Sequence, residues 1–325
     1  MNKLKIGVIG TNFVADWLCE CAAASGDVTV TAVYSRTAEK GQTFADKHGI
    51  PTVMTDREAF FSSDIDAVYI ANPNALHDET AEAAMAHGKH VLVEKPAGLS
   101  AAQFGQMEET ARRHGVVLME AMRPGHDPAA SVVRDALSEI GTIRRAVFDY
   151  CQYSSRYDAY KAGTILNAFD PSLGNAALMD IGCYAVHVCV MLFGRPAAIT
   201  SRSVMLSNGM EGMGTALLDY PSMQAEIVYS KIADSVTPSV ILGENGAITI
   251  ERISQFERVT LERRKGEKTV LVEPRPENNM IYELADFAAC IRGEQSDEPY
   301  RRNTRLTLEV MDEIRRQNGI VFPTE

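Results

Sequence analysis

The chain has no uninterrupted apolar run of the ~18 residues a membrane helix needs, so no membrane span is expected. It holds neither a Cys-x-x-Cys pair nor a His-Glu-x-x-His motif. Its six cysteines (Cys19, Cys21, Cys151, Cys183, Cys189 and Cys290) and seven histidines are scattered. That spacing gives no compact metal site, and none is expected. Several of the cysteines sit in apolar helical runs, where a thiol behaves as a small hydrophobe, so reduced thiols suit the chain better than a disulfide framework. Positive charge is also short: 32 Lys and Arg against 43 Asp and Glu leave a net charge of −11. A nucleic-acid surface needs clustered cations to displace counterions, so nucleic acid is not an expected partner. The basic runs Arg263-Arg264-Lys265 and Arg301-Arg302 read as solvated faces. The opening Met-Asn-Lys-Leu-Lys runs straight into a strand-like segment and lacks the apolar core and small-residue cleavage site of a secretory signal. A cytoplasmic location is the expectation.

What is present is ordinary for packed globular protein, with 46% hydrophobic and 23% charged residues. A chain of 325 residues exceeds one ordinary core, so two domains are expected. Strand signals at Leu4–Ile9, Val28–Tyr34, Ala67–Ile70, His90–Val93 and Val116–Met119 alternate with helical stretches near Phe13–Ala24, Ala38–Lys47, Ala75–His87 and Ala101–Arg113. Such alternation builds a parallel sheet wrapped by helices. Gly26, Gly49, Gly88 and Gly115 each follow a helical stretch, as left-handed caps would.

After Pro128 the rhythm changes. A helix near Ala129–Leu137, a strand Ile143–Tyr153 and a helix Ala176–Phe193 are followed by strand-like runs with no helix between them. These are Ala198–Met205, Gly214–Tyr220, Gln224–Tyr229, Ser239–Leu242, Ala247–Ile250 and Val259–Leu261, with helices Tyr282–Arg292 and Thr304–Arg316 at the end. The expected fold class is therefore α/β: a doubly wound parallel sheet over residues 1–122, then an α/β domain with a mostly antiparallel open sheet over 123–325. The last helix is allowed to pack back on the first domain.

The first strand–helix junction reads Gly7-Val8-Ile9-Gly10-Thr11-Asn12-Phe13-Val14-Ala15. As a dinucleotide fingerprint this is Gly10-x-Asn12-x-x-Ala15, with asparagine where a second glycine normally lets the backbone approach the pyrophosphate. Asparagine tolerates left-handed torsions better than most residues, so a turn distorted at Asn12 is expected to work. The helix N-terminus there favours phosphate, which places Gly10, Thr11, Asn12, Phe13 and Val14 at the cofactor. At the end of the second strand stand Ser35 and Arg36, with Lys40 a turn further on. An NAD enzyme usually carries a carboxylate there for the ribose hydroxyl, whereas a hydroxyl and a guanidinium suit a 2′-phosphate. NADP(H) is therefore preferred, with NAD(H) as the alternative.

Three further segments make a family visible: Ala71-Asn72-Pro73-Asn74-Ala75-Leu76-His77, Val93-Glu94-Lys95-Pro96 and Met179-Asp180-Ile181-Gly182-Cys183-Tyr184. With the fingerprint, their order and spacing resemble the Gfo/Idh/MocA oxidoreductases over essentially the whole chain. Within them the branch of glucose–fructose oxidoreductase and dihydrodiol dehydrogenases is most similar. The resemblance implies a Rossmann domain, an open sheet that forms a homodimer or homotetramer interface, and Lys95 and Asp180 beside the nicotinamide. It also implies a cis bond before Pro96, with Glu94 holding the loop and His77 a local hydrogen-bonding residue near the cofactor; Ala71, Asn72, Pro73 and Asn74 fall in the same cofactor segment. Many members carry histidine where this chain has Tyr184. That departure matches the dihydrodiol branch and weakens the analogy to inositol dehydrogenases.

Independently of the resemblance, the helix around Tyr184 is apolar nearly all round and so buried. Asp180, Tyr184 and His187 share one stripe of it at helical spacing. An unsatisfied polar group in such a place costs about 1–3 kcal/mol, so the three must face partners or a cavity. Hydride chemistry at a carbinol requires the hydroxyl proton to move as well. Tyr184 is assigned that transfer, Lys95 the cation that polarises the substrate oxygen and favours the phenolate, and Asp180 an orienting role. His187 is a candidate substrate contact or a satisfied core histidine. Arg123 and His126 either line the cleft or belong to the domain junction. The expected substrate is a small carbonyl or polyol, sugar-like or a diol. Two other readings remain: an NAD-linked sugar or inositol-type dehydrogenase, and a nucleotide-sensing regulator without turnover. The 2′-phosphate argument has a direct test. Arg36→Ala should weaken NADPH about tenfold or more while NADH binding changes little, read by fluorescence titration; equal losses would remove the argument.

Overall fold

The computed structural model describes residues 3–322. The chain forms two compact units: residues up to Met122 with Glu277–Arg302, and Arg123–Pro276 with the chain from Asn303 onward.

In the first unit, β1 (Leu4–Ile9), β2 (Val28–Tyr34), β3 (Thr52–Met54), β4 (Ala67–Ile70), β5 (His90–Glu94) and β6 (Leu118–Ala121) form one parallel sheet. Its order is β3-β2-β1-β4-β5-β6. The order reverses between β1 and β4, the switch point at which sheets of this type bind ligands. Every residue of β4 is buried, because helices cover both faces, and its sequence is accordingly a continuous apolar run rather than an alternating one. Three helices begin on side-chain caps: Asn12, Asp56 and Ser100 each accept backbone N–H of the first turn, each contributing about 1 kcal/mol. Two helices of this unit, Ala38–His48 and Ala101–His114, end on glycine in the left-handed region, Gly49 at φ 66° and Gly115 at φ 65°. Gly26 does not act this way; the chain leaves its helix at Ser25 in an extended conformation. The helix Met280–Ile291 closes this unit. Met280, Leu284, Phe287 and Ala288 share one core with Leu18, Cys21 and Ala22, and burial of each large side chain is worth about 2 kcal/mol. The short β3 and the helix Arg57–Phe61 escaped the sequence reading, and the last strand lies two residues later than expected.

In the second unit, β7 (Ile143–Cys151), β8 (Ala198–Met205), β9 (Glu211–Asp219), β10 (Gln224–Ser230), β11 (Ser239–Gly243), β12 (Gly246–Glu251), β13 (Arg258–Arg263) and β14 (Lys268–Val272) form the second sheet. The order is β14-β13-β12-β11-β7-β10-β9-β8, antiparallel throughout except for the β7–β10 pair. The mostly antiparallel expectation holds. The unexpected strand, β14, is an edge strand with no buried residue, which explains its weak pattern. Alternate residues of β9 and β10 are buried, so one face of the sheet packs inward. The apolar segment Pro171–Phe193 is long enough to cross a membrane, yet it is mostly buried within the fold and serves as a core element.

That segment is not one α-helix. Leu178–Gly182 form a π-helical turn, in which the Cys183 N–H reaches the Leu178 carbonyl five residues back, and regular helix runs over Cys183–Phe193. Gly182 is needed there, since a Cβ would lie 2.9 Å from the Tyr229 ring. The turn rests on Glu211, a fully buried carboxyl at the start of β9 that accepts the Leu178 N–H at 2.6 Å. Burial pushes the Glu211 carboxyl up to about 7, against the opposing pull of the Leu178 N–H and Lys231.

The folded state thus keeps a proton on Glu211 where the unfolded chain has lost it. Its stability contribution is complete below the ordinary carboxyl range and is lost as pH rises through about 7. Thermal melting of the wild type should therefore fall between about pH 5 and pH 8 relative to Glu211→Gln, which keeps an acceptor for Leu178 and cannot ionise. Parallel profiles would show that Glu211 is ionised throughout. At Gly243 an added Cβ would stand 2.1 Å from the Ile140 carbonyl oxygen. Gly243→Ala should destabilise the chain by about 1–3 kcal/mol in denaturant titration, and an unchanged midpoint would contradict the packing.

Candidate active site

In the first unit the candidate cofactor residues gather at the carboxyl ends of β1, β4 and β5. Gly10 has φ 109° and lies so close to Ala71 that a Cβ would meet its carbonyl oxygen at 2.6 Å. Only glycine satisfies both conditions. Asn12 does not adopt a left-handed conformation: its torsions are extended, φ −94° and ψ 174°. It works instead as a clasp. Its Oδ1 accepts the Val14 and Ala15 N–H groups, and its Nδ2 donates to the Ala71 carbonyl at 2.9 Å. Val14, expected to offer its amide to phosphate, spends it on this cap. Thr11 and the exposed Phe13 flank the capped turn.

A second clasp joins the neighbouring loops. The buried His77 places Nδ1 2.8 Å from the Pro96 carbonyl oxygen and Nε2 2.9 Å from that of Asn72. Two carbonyls would favour an imidazolium, but burial holds the His77 pKa below its ordinary value. Neutral His77 donates to only one of them at a time. Asn72 donates to Thr80 Oγ1 at 2.8 Å. Its Oδ1 is buried with no hydrogen-bond donor among the described residues, a vacancy of the kind a ligand group fills. Pro73 and Asn74 lie beside it, half-buried.

The peptide bond between Lys95 and Pro96 is cis. Glu94 accepts from Tyr69 Oη at 2.5 Å, and the buried Glu120 on β6 accepts the Ala97 N–H at 2.9 Å. Lys95 is thereby set in a loop tied on both sides. Sequence reasoning missed Tyr69 and Glu120; the available signal was a carboxylate in the otherwise apolar strand Leu118–Ala121. At the end of β2, Ser35 is buried and accepts the Thr37 N–H at 3.4 Å, while Arg36 and Lys40 are exposed. The glycine approach, the helix N-terminus and the orphaned Asn72 oxygen fit a dinucleotide.

In the second unit the π turn decides which polar residue faces what. The extra residue in its ring changes the helical phase at Asp180, so the regular-helix spacing from Asp180 to Tyr184 does not carry across it, whereas Tyr184 and His187 both lie on the regular helix and keep theirs. Asp180 is paired with Lys231, which directly follows β10: Nζ to Oδ2 is 2.8 Å. Only 3% of the Lys231 side chain is exposed, against 35% of Asp180. Lys231 also donates to the Ala168 carbonyl at 2.7 Å and stands 5.1 Å from the centre of the Phe169 ring. Sequence reasoning missed it, since a lysine at a strand end reads as surface.

Tyr184 is buried, with Arg123 Nη2 3.5 Å from its hydroxyl and the guanidinium 5.8 Å from its ring centre. Arg123 opens the short helix Arg123–His126 and stands at the assigned acid/base. His126 is buried on the same turn. His187 is the core histidine of the two alternatives. Asn303 Nδ2 lies 2.8 Å from its Nε2 and Thr307 Oγ1 3.3 Å from its Nδ1, and burial pushes its pKa down to about 3. A neutral ring with both nitrogens engaged fits the core-histidine alternative better than a substrate contact.

Residues 4–122 match the oxidoreductase family with an NAD-binding Rossmann fold, GFO/IDH/MocA, and residues 133–249 match the C-terminal domain of that family. The chain is 42% identical over 325 residues to scyllo-inositol 2-dehydrogenase (NADP(+)) IolU of Bacillus subtilis, with 99% of each chain covered. It is 28% identical to trans-1,2-dihydrobenzene-1,2-diol dehydrogenase of Xenopus tropicalis, covering 91% of this chain and 92% of that one. A 3-ketoreductase from Actinomadura kijaniata, solved with NADP and TDP-benzene, shares the fold at a TM-score of 0.85, with 24% identity and 98% of each chain covered. The argument from Tyr184 against inositol dehydrogenases is thereby corrected, since a relative at 42% identity carries that name. The chain belongs to the GFO/IDH/MocA family and is an NAD(P)-dependent dehydrogenase or reductase of alcohol and carbonyl groups.

Proposed function

We propose that this enzyme uses NADP(H) in preference to NAD(H) and acts on a polyol, a diol or a sugar-like alcohol and the corresponding carbonyl, with Tyr184 as acid/base assisted by Lys95 and Asp180. A cyclic polyol is the favoured substrate, a reading supported by the inositol dehydrogenase at 42% identity. The preference for NADP(H) rests on the exposed Arg36 and Lys40 beside Ser35, where a carboxylate would repel a 2′-phosphate, and on the NADP(+) in that relative's name. When bound, the nicotinamide supplies or accepts the hydride, and the protein handles the proton.

The observation that carries the proposal is the cation at the Tyr184 hydroxyl. A buried phenol gives up a proton only if the charge left behind is stabilised, and the Arg123 guanidinium stands 3.5 Å away. Asp180 keeps a third of its side chain open to solvent while Lys231 neutralises it from within. It is suited to accept a hydrogen bond from a substrate hydroxyl and orient it. Lys95, in its tied loop, is assigned the polarisation of the reacting oxygen. Gly10, Thr11, Asn12 and Phe13 would hold the pyrophosphate, with Asn72, Pro73, Asn74 and His77 along the remainder of the cofactor. Assembly into a homodimer or homotetramer through the second sheet is proposed on the family resemblance alone. The enzyme is assigned to the cytoplasm.

Tyr184→Phe should lower kcat for scyllo-inositol oxidation with NADP(+) by about 100-fold or more. NADPH affinity, read through quenching of Trp17, the one tryptophan of the chain, should stay within about twofold. Full turnover in the variant would place proton transfer on another group.

A further inference from the structure

We infer that Lys231 is a positioning residue for Asp180: a buried ammonium that aims a partly open carboxylate at the substrate. The inference rests on the reading of Asp180 as a substrate contact. Lys231 is almost wholly buried, yet its partner is a third exposed, so the pair is anchored from the interior and open on the carboxylate side. An ammonium is rarely buried for general stability, because desolvation offsets most of the attraction it gains. This one is held by the Asp180 carboxylate at 2.8 Å, the Ala168 carbonyl at 2.7 Å and the Phe169 ring face at 5.1 Å. Its own backbone N–H donates to the Gly212 carbonyl at 2.9 Å, next to Glu211.

Adjacent positions at the ends of two neighbouring strands therefore grip the same turn in different ways. Glu211, opening β9, holds the main chain at Leu178, and Lys231, just past β10, holds the side chain of Asp180. A π-helical turn departs from the regular i→i−4 hydrogen-bond ladder, and the two restraints fix its main chain and the orientation of Asp180. Lys231 has no place in moving the proton; it acts through Asp180.

A double-mutant cycle tests this, with Lys231→Met, Asp180→Asn and the pair, assayed with scyllo-inositol and NADP(+). Lys231→Met should lower kcat/KM by about 30-fold or more, with NADPH quenching of Trp17 unchanged. In the Asp180→Asn background it should add less than about threefold. A purely structural lysine would give losses that multiply, and that result overturns the inference. So does a kcat/KM within about threefold of wild type. The double variant should also melt above Lys231→Met alone, because it no longer strands one charge. Should Lys231→Met fail to fold, Lys231→Gln, which keeps a donor for Ala168, carries the same cycle. Crystal structures of the wild type and of Lys231→Gln give a second arm that needs no turnover. The Asp180 carboxylate should shift by more than about 1 Å or split into two conformers, and an unmoved carboxylate overturns the inference. If the wild type oxidises no polyol, the substrate reading fails, while the crystallographic arm still decides the role of Lys231.

Discussion

The second unit is organised around one constraint: ionisable groups carried by an apolar, buried segment must each be met by a partner or be held neutral. The segment from Ala176 to Phe193 brings Asp180, Tyr184 and His187 into the core, and the sheet beside it brings Glu211 and Lys231. Unmet, each charge would destabilise the fold by several kcal/mol. The structure resolves the conflict in three ways. Asp180 is paired with Lys231, Glu211 has its carboxyl pushed up to about 7 by burial, and His187 is kept neutral with both nitrogens engaged by Asn303 and Thr307.

These solutions separate support from chemistry. The groups that are enclosed in the core, Glu211 and His187, serve packing and the main chain. Asp180 and Tyr184 are the ones whose partners are cations, Lys231 and Arg123. A cation beside an oxygen acid stabilises charge, and stabilised charge is what proton transfer and substrate orientation need. The first unit ties its loops by side-chain hydrogen bonds. Asn12 and His77 tie loops to one another through backbone carbonyls, and Tyr69 and Glu120 hold the Lys95 loop through Glu94 and Ala97.

Much of this was legible in the sequence. The strand–helix alternation, the parallel first sheet, the mostly antiparallel second sheet and the family followed from periodicity and four short motifs. The weak elements were not legible: β3 is three residues long, and β14 is an edge strand with little burial to pattern it. The stripe of Asp180, Tyr184 and His187 was drawn for a regular helix; Tyr184 and His187 do share one, but Asp180 sits in a π turn, which leaves no signature in hydrophobic spacing. Lys231 and Glu211 stayed hidden because they lie more than thirty positions from the residues they hold, Asp180 and Leu178.

The sequence by itself determined which residues are chemically able to act and which local elements carry them, since periodicity, glycine placement and capping are local effects. It also showed that the segment around Tyr184 is buried, because a helix apolar on every side has no other stable place. Only the tertiary structure decided which partner each polar residue meets: Arg123 at Tyr184, Lys231 at Asp180, Asn303 at His187. Those pairings join residues from 51 to more than 100 positions apart, set by sheet register and by one inserted turn, and charge at a site depends on neighbours brought by folding rather than on neighbours along the chain.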